Sequence, residues 1–194
     1  MMKKVIFMTV ASVALVCGAI YGLYRRFYPY GERTCLMPCT VSSLYMYARD
    51  HEGWFPKDGP TPLQSLQMLY PVYLQPPEDL AGISGNEKET VKRLESGQPL
   101  DGGVSSWIYF PGFRTNDGDM NRQMVAIIWE RHPDIGFNGR RSRGHCVGFS
   151  DGAFAQITRG LWPTFLLQQE ALRAAILAKR SSENATNETS KSTR

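Results

Sequence analysis

The sequence has few of the residues on which catalytic and metal sites usually depend. Its 194 residues include four cysteines and three histidines, and there is no Gly-x-Ser-x-Gly nucleophile elbow. Four cysteines are too few for a disulfide scaffold, and they lack the paired spacing of a zinc site. Cys35 and Cys39, one helical turn apart, can either form a disulfide in an oxidising compartment or stay reduced. A nucleophilic triad is not expected, and we predict a non-enzymatic protein.

The acids and histidines that remain do not form an obvious catalytic pair. His145 and Asp151 lie at opposite ends of one predicted strand, too far apart for a direct hydrogen bond. Glu130 and His132 share one face of another strand, where we expect an exposed polar edge.

Charge is also scarce, and one long segment has none. The formal net charge is only +4, and its short clusters, Arg25-Arg26 and Arg140-Arg141 with Arg143, do not predict a nucleic-acid-binding face. Residues 5–24 carry no charge, and a helix of that length spans roughly 30 Å of hydrocarbon. We therefore predict a transmembrane anchor over residues 1–24, followed by a basic, proline-interrupted neck over residues 25–38.

A cleaved signal peptide is the alternative interpretation of the apolar segment. Its apolar region would cover residues 5–16, and cleavage would follow Ala19, with a second small residue at Cys17. The apolar run continues past that point to Tyr24, which favours the uncleaved anchor. Positive residues lie on both sides of the segment, so charge alone does not set its orientation.

Beyond the neck, the pattern of caps and breakers predicts helices. A helix resumes at Cys39 and is expected to stop at Gly53, where a residue without Cβ can take the left-handed conformation. Thr61 and Asn86 are predicted N-caps of two shorter helices. A C-terminal helix is expected over residues 161–180, and a disordered polar tail over residues 181–194.

Four β-strands are predicted within the α+β domain that covers residues 39–160. They occupy residues 105–110, 124–129, 146–150 and 154–158, and the first two and the last two are expected to be antiparallel neighbours. Asp151-Gly152 predicts a two-residue hairpin turn between the last two strands. The alternation of side chains is expected to place Val147 and Phe149 against the long helix, with Cys146 and Gly148 facing away from it.

Two stretches carry a recognisable motif. The first ends the long helix and keeps Tyr47, Ala48, Asp50, Gly53, Phe55 and Pro56; the second keeps Ser142, Gly144, Val147, Phe149, Asp151 and Gly152. In this pattern the chain resembles bacterial pilin-like proteins, the pseudopilins and especially the prepilin-type H-X9-DG group. Arg141 stands where that group has its histidine, and the prepilin cleavage signature is absent. The resemblance implies a pilin-like α+β fold, with a long N-terminal helix packed on a small antiparallel β-sheet.

The function implied by the resemblance is protein–protein assembly in the bacterial cell envelope. We expect a single-pass protein of the inner membrane whose domain lies outside the cytoplasm. Its expected partners are the membrane and other envelope or pseudopilin-like proteins, without nucleic acid or a required cofactor. One alternative is an anchored module that binds a cation or a polymer through the loops around Trp107, Tyr109 and Asp117. An envelope hydrolase is a further alternative.

A possible calcium site lies in residues 115–121, where oxygen donors surround a glycine turn. Asp117 and Asp119 are the candidate calcium ligands, because hard cations prefer carboxylate and amide oxygens. The stretch lacks the bidentate glutamate of an EF-hand loop. The resemblance adds a precedent, since major pseudopilins bind calcium in a loop beside their sheet. Asp, Asn and Gly are equally typical of a tight turn, so both interpretations remain open.

Overall fold

The structure, a computed structural model, describes residues 2–32, 36–115, 117–118, 124–137 and 139–192. Its elements in chain order are α1 (Met2–Phe27), α2 (Leu36–Asp50), α3 (Pro62–Gln67), a 3-10 helix (Pro77–Ala81), α4 (Glu87–Glu95), β1 (Trp107–Tyr109), β2 (Ala126–Glu130), β3 (Gly144–Phe149), β4 (Phe154–Thr158) and α5 (Trp162–Ser192). The fold is therefore α+β, with an N-terminal apolar helix, a four-stranded antiparallel sheet and a C-terminal helix, as predicted.

The neck separates two N-terminal helices. α1 ends at Phe27, and α2 begins at Leu36, three residues before the predicted start at Cys39. Pro38 lies in the first turn of α2. A proline there removes no helical hydrogen bond, because the first N–H groups of a helix have no partner within the helix. We had expected Pro38 to delay the start of the helix, and this expectation is wrong.

The helix ends follow the predicted local rules. Gly53 has a φ of 82° and donates its N–H to the carbonyl oxygen of Ala48 at 2.8 Å, which closes the end of α2. The side-chain oxygen of Thr61 accepts a backbone N–H of α3, and that of Asn86 accepts one of α4. The predicted stop and both predicted N-caps are confirmed.

The sheet is an antiparallel meander in the order β1-β2-β3-β4. The opposed pairs include Trp107 with Glu130, Trp129 with Val147, and His145 with Ile157. All four strands overlap the predicted segments. The pairings of β1 with β2 and of β3 with β4 are as expected, and β2 also pairs with β3.

Different helices cover the two faces of the sheet. Cys146 of β3 belongs to the main core cluster together with α2. A Cβ atom added to Gly148 would lie within 2.9 Å of Ile128 Cγ2, and closer still to Val41 Cγ2 of α2. Val147 packs in a second cluster on the opposite face, with the first turn of α5. The sheet is therefore sandwiched between α2 and α5.

The predicted orientation of β3 is wrong. The alternation was correct, but Cys146 and Gly148 face α2, whereas Val147 and Phe149 face α5, where Phe149 lies 6.3 Å from the Phe165 ring. Since a helix covers each face, β3 is buried along almost its whole length. Burial alone therefore does not indicate which face receives α2, and the small residues provide the closer approach.

The β3–β4 hairpin has three loop residues, and the predicted two-residue turn is wrong. The N–H of Gly152 donates to the carbonyl of Phe149 at 3.1 Å, and the N–H of Phe149 donates to the carbonyl of Ala153 at 2.9 Å. Gly152 has a φ of 85°. A β-turn followed by a residue of positive φ is the usual three-residue hairpin, in which the last loop residue forms a bulge.

The C-terminal helix is longer than predicted. α5 continues to Ser192, through most of the segment that we had expected to be a disordered tail over residues 181–194. After Pro163 that helix contains neither glycine nor proline, so no residue type that stops a helix interrupts it. Polarity alone was therefore an insufficient reason to predict disorder.

The contact between α2 and β3 leads to a stability prediction. Gly148→Ala is expected to destabilise the domain by about 1–3 kcal/mol, because the added methyl group overlaps Val41 and Ile128. The matched control is Gly103→Ala, an exposed position where the nearest group is a flexible aspartate side chain. Denaturant unfolding of both full-length variants in detergent provides the measurement. Equal losses of stability would contradict the close approach of α2 to Gly148.

Candidate membrane junction

The N-terminal helix projects from the domain without being covered by it. Among the described residues, one helix, Phe7–Phe27, is long and apolar enough to cross a membrane. No part of this segment is buried, and Phe7 and Leu15 are each 75% exposed. A surface of this size and apolarity is unfavourable in water and favourable in hydrocarbon.

The last residue of α1 is bound to the loop that precedes β3. The carbonyl oxygen of Phe27 accepts the backbone N–H of Arg141 at 2.7 Å. The guanidinium of Arg140 lies 5.7 Å from the centre of the Phe27 ring. Tyr30, in the neck, lies 6.4 Å from His132 between ring centres. These contacts define what we call the membrane junction, namely the end of α1, the first neck residues and residues 132–137 and 139–143.

Two open concavities flank Arg141 and Ser142 at this junction. The first has a volume of about 590 Å³ and is lined by Pro29, Tyr30, His132, Pro133, Asp134, Ile135, Arg143 and Arg159 in addition to the shared pair. The second has a volume of about 660 Å³ and is lined by Arg26, Phe27, Gly136, Phe137, Arg140 and Gln156 together with the same pair. Both open beside the end of the apolar helix.

Positive charge predominates in both concavities. Arg140, Arg141 and Arg143 are exposed. Arg159 forms an ion pair with Asp134. Guanidinium groups recognise phosphate and carboxylate groups by paired hydrogen bonds, so the arrangement is suited to anions.

The first motif stretch forms a structural corner at the far end of α2. Tyr47 is buried and its ring stacks on His51, with 3.7 Å between centres. Asp50 accepts a hydrogen bond from the Tyr73 hydroxyl at 3.3 Å. Pro56 accepts one from Tyr109 through its carbonyl oxygen at 2.7 Å. Together with the Gly53 turn described above, these residues fix the exit of the chain from α2.

The second motif stretch forms the strand and hairpin beside α2. A Cβ atom at Gly144 would overlap the backbone of Ile157 on β4. Asp151 accepts the N–H of Ala153 at 2.9 Å and so stabilises the turn. A Cβ atom at Gly152 would touch the Tyr45 ring of α2. The motif residues thus maintain the packing of helix and sheet, and they do not converge on one reactive centre.

The aromatic residues that we had assigned to binding loops belong to the core. Trp107 and Tyr109 are 1% and 3% exposed. The indole N–H of Trp107 donates to the carbonyl of Asp79 at 2.8 Å, and the Tyr109 hydroxyl donates to Pro56. Strand alternation turns both side chains inward, so neither aromatic ring is available to a ligand at the surface, and binding by the loops around them stays a prediction.

Asp117, one of the two expected calcium ligands, is bound to arginine. Its carboxylate accepts hydrogen bonds from the Arg180 guanidinium of α5 and from the backbone N–H of Arg114. The guanidinium groups of Arg180 and Arg114 lie over the Trp54 ring, at 4.8 Å and 4.0 Å from its centre respectively. Asp119 lies outside the described residues, and the described part of the chain brings no three His, Cys, Asp or Glu side chains together. A cation at Asp117 would compete with Arg180, which already pairs with one oxygen of this carboxylate.

Glu130 is fully buried, so the expected exposed polar edge is wrong for this residue. Its carboxylate accepts the N–H of Ile83 at 2.9 Å and the hydroxyl of Ser84 at 2.8 Å. Burial raises the pKa of Glu130, and these hydrogen bonds partly oppose that effect. The loop around Ile83 covers the strand end, whereas His132, two residues later, is exposed.

Two further reactive groups are held in structural roles. Burial lowers the pKa of His145, whose ring stacks on Trp162 with 3.7 Å between centres. Burial raises the pKa of Cys146 to about 12, and its thiol donates to the carbonyl of Ile135. A thiol in that state is a poor nucleophile. Cys35 lies outside the described residues, so both alternatives for it and Cys39, a disulfide or two reduced thiols, stay open.

Sequence reasoning missed the residues that make the junction. It noted the Arg25-Arg26 and Arg140-Arg141 clusters, but not that folding brings them together, and it missed Gln156 and Arg159 altogether. The two clusters are distant in sequence, and the Phe27–Arg141 hydrogen bond and the concavity lined by Arg26 and Arg140 show that they are neighbours.

Comparisons of the chain with known protein families, with curated proteins and with solved structures found no match.

The buried carboxylate generates a pH prediction. Because the pKa of Glu130 is raised on folding, the folded protein binds more protons than the unfolded chain above the usual value of 4.5. Stability contributed in this way is present at low pH and is lost as the pH rises through the raised pKa. Glu130→Gln lacks this pH-dependent loss. The free energy of unfolding of the variant minus that of wild type should therefore increase from acid to neutral pH.

Urea unfolding of full-length wild type and variant across this range provides the measurement. His145 titrates in both proteins, so the difference between their free energies of unfolding reports the contribution of Glu130. The matched control is Glu95→Gln, on the exposed side of α4, whose difference from wild type should not follow this trend. A pH-independent difference for Glu130→Gln would contradict the assigned burial.

The Asp117–Arg180 pair generates a second prediction. Asp117→Asn should destabilise the protein by about 1–3 kcal/mol, because it leaves a mostly buried guanidinium without its charge-assisted partner. Asp58→Asn, which removes the acid of an exposed pair with Lys57, should have little effect. Thermal unfolding compares the two. A calcium-dependent rise in Tm that Asp117→Asn abolishes would show instead that this loop binds the cation.

Proposed function

We propose that this chain is a single-pass, membrane-anchored protein of the bacterial cell envelope, with a pilin-like domain outside the cytoplasm. The observation that carries the proposal is the exposed apolar helix Phe7–Phe27, which leaves the folded domain at one end. A free helix of this kind in water would expose its whole apolar surface, and insertion in a bilayer removes that cost.

We propose further that the protein acts by assembly with other envelope or pseudopilin-like proteins. The support is twofold. The two motif stretches resemble those of pilin-like proteins, and both stretches lie where α2 meets the antiparallel sheet. The best candidates for chemistry, Glu130, His145 and Cys146, are occupied by hydrogen bonds or ring contacts within the domain. Their placement favours a role in stability. Assembly with another protein does not require a reactive group.

Membrane anchoring is tested by alkaline extraction and by protease treatment of spheroplasts. The full-length chain should remain in the membrane pellet, and its domain should be digested by external protease. Val13→Lys/Val16→Lys should release the chain, because charge at the centre of a membrane helix costs about 2.5–3.5 kcal/mol for each lysine.

The matched control is Val72→Lys, the same change at an exposed position of the domain, which should leave the chain in the pellet. A protected domain would contradict the orientation. A soluble protein that begins at Ile20 would contradict the anchor and establish the signal-peptide alternative.

Assembly is tested by chemical cross-linking of intact membranes, followed by mass spectrometry of the purified chain. We expect cross-links to other membrane-anchored envelope proteins. Recovery of the monomer alone, at cross-linker concentrations that capture known complexes in the same membranes, would contradict the assembly role.

A further inference from the structure

The membrane junction concentrates positive charge in one part of the surface. The arginines there are Arg25 and Arg26 in the last turn of α1, and Arg140, Arg141, Arg143 and Arg159 around the two concavities. The acids beside them are Asp134, which pairs with Arg159, and Glu32, whose backbone contacts the Tyr24 hydroxyl. Because the whole chain has a formal charge of only +4, this cluster is a local excess and not an average property.

One residue that lines the second concavity, Gln156, has a hydrogen-bond donor without an acceptor in the described part of the chain. The side-chain amide nitrogen of Gln156 is buried and has no partner among the residues that the structure describes. Buried amide groups are almost always hydrogen-bonded in folded proteins, so this donor indicates a missing acceptor. The charged side chains that line the same concavity, Arg26, Arg140 and Arg141, are donors as well. An oxygen-rich anion fits this set of groups.

The position of the concavities, beside the end of the apolar helix, indicates which class of anion they bind. The Phe27 carbonyl, at the end of the apolar helix, is bound directly to Arg141. If α1 crosses the bilayer, this hydrogen bond places residues 134–137 and 139–143 at the level of the lipid headgroups. Lipid phosphates are the most concentrated anions there, and arginine next to a membrane helix is attracted to them.

We propose that the membrane junction binds anionic phospholipid, with one headgroup phosphate in the second concavity beside Gln156, Arg140 and Arg141. The inference rests on the proposed membrane anchoring of α1. Binding supplies the acceptor that Gln156 lacks and neutralises part of the arginine cluster. It also holds the domain against the bilayer surface, because the ligand belongs to the leaflet that surrounds the helix.

Native mass spectrometry of the full-length chain in nanodiscs tests the proposal. The discs contain phosphatidylglycerol and phosphatidylcholine in equal amounts, and the ratio of the two lipids retained on the released chain is measured. We expect enrichment of phosphatidylglycerol. Arg141→Gln/Arg143→Gln should reduce that enrichment about 25-fold, since each arginine at an anionic surface contributes about fivefold.

These two arginines suit the test because both side chains are exposed and the Arg141 hydrogen bond to Phe27 uses the backbone. The matched control is Arg49→Gln/Lys57→Gln, which removes two exposed cations at the far end of α2. It should leave the enrichment unchanged. Equal losses in the two double variants would overturn the assignment to the junction.

Gln156→Met separates lipid binding from a structural role. Methionine has a similar length but no amide donor, so the lipid enrichment should fall about fivefold to tenfold. The Tm of the lipid-free protein in neutral detergent should not fall, because the unpartnered donor is removed and no hydrogen bond is lost. A lower Tm with unchanged lipid enrichment would overturn the role assigned to Gln156.

The failure of this proposal is distinguishable from failure of the anchor. A chain that stays with the discs but retains both lipids equally overturns the lipid inference and leaves the anchor intact. A chain that separates from discs of either lipid overturns the anchoring itself. Displacement of the retained lipid by excess soluble glycerol phosphate would assign the concavity to free phosphate and overturn the choice of membrane lipid.

Discussion

The approach of α2 to the sheet at Gly148 is the contact on which the rest of the domain depends. Because Gly148 has no side chain, Val41 of α2 reaches the backbone of β3, and the neighbouring core residues Leu44 and Cys146 pack tightly. A larger residue would hold the helix away from the sheet and open space between them. The contact lies in the first half of α2, whose other end is closed by the Gly53 turn.

Buried polar side chains attach the irregular segment between α2 and β1 to this framework. Trp107 and Tyr109 donate to carbonyl groups of that segment, and Glu130 accepts the N–H of Ile83. Burial keeps the pKa of Tyr109 well above its usual value, so its hydroxyl remains a donor. These bonds give partners to the Pro56 carbonyl and the Ile83 N–H, and a second donor to the Asp79 carbonyl, which also accepts the Gly82 N–H. They attach the segment that contains α3, the 3-10 helix and α4 to β1 and β2.

The features predicted correctly from the sequence are those that neighbouring residues determine. The caps at Thr61 and Asn86 and the stop at Gly53 depend on the chemistry of one residue and the N–H or carbonyl groups near it. Strand positions followed from local enrichment in aromatic and β-branched residues between turn-forming residues. The start of α2 was misplaced because Pro38 was treated as a barrier, although the first turn of a helix accepts proline.

Features that depend on distant parts of the chain were not predictable in this way. The face of β3 that receives α2 is set by which residues are small enough for close approach, and both faces are equally buried. The burial of Glu130 depends on a loop that arrives from residues 82–84. The junction depends on the pairing of Phe27 with Arg141, which gathers two basic clusters that look independent in the sequence.

The central claim is that α1 lies in a bilayer and places the junction at its surface. The most direct measurement uses a photo-activated amino acid at Thr158, at the exposed end of β4 next to Arg159, in the full-length chain in native membranes. We expect covalent adducts with phospholipid at this position, and none at Lys57 beyond the far end of α2. Absence of lipid adducts at Thr158, or equal adducts at both positions, would contradict the claim.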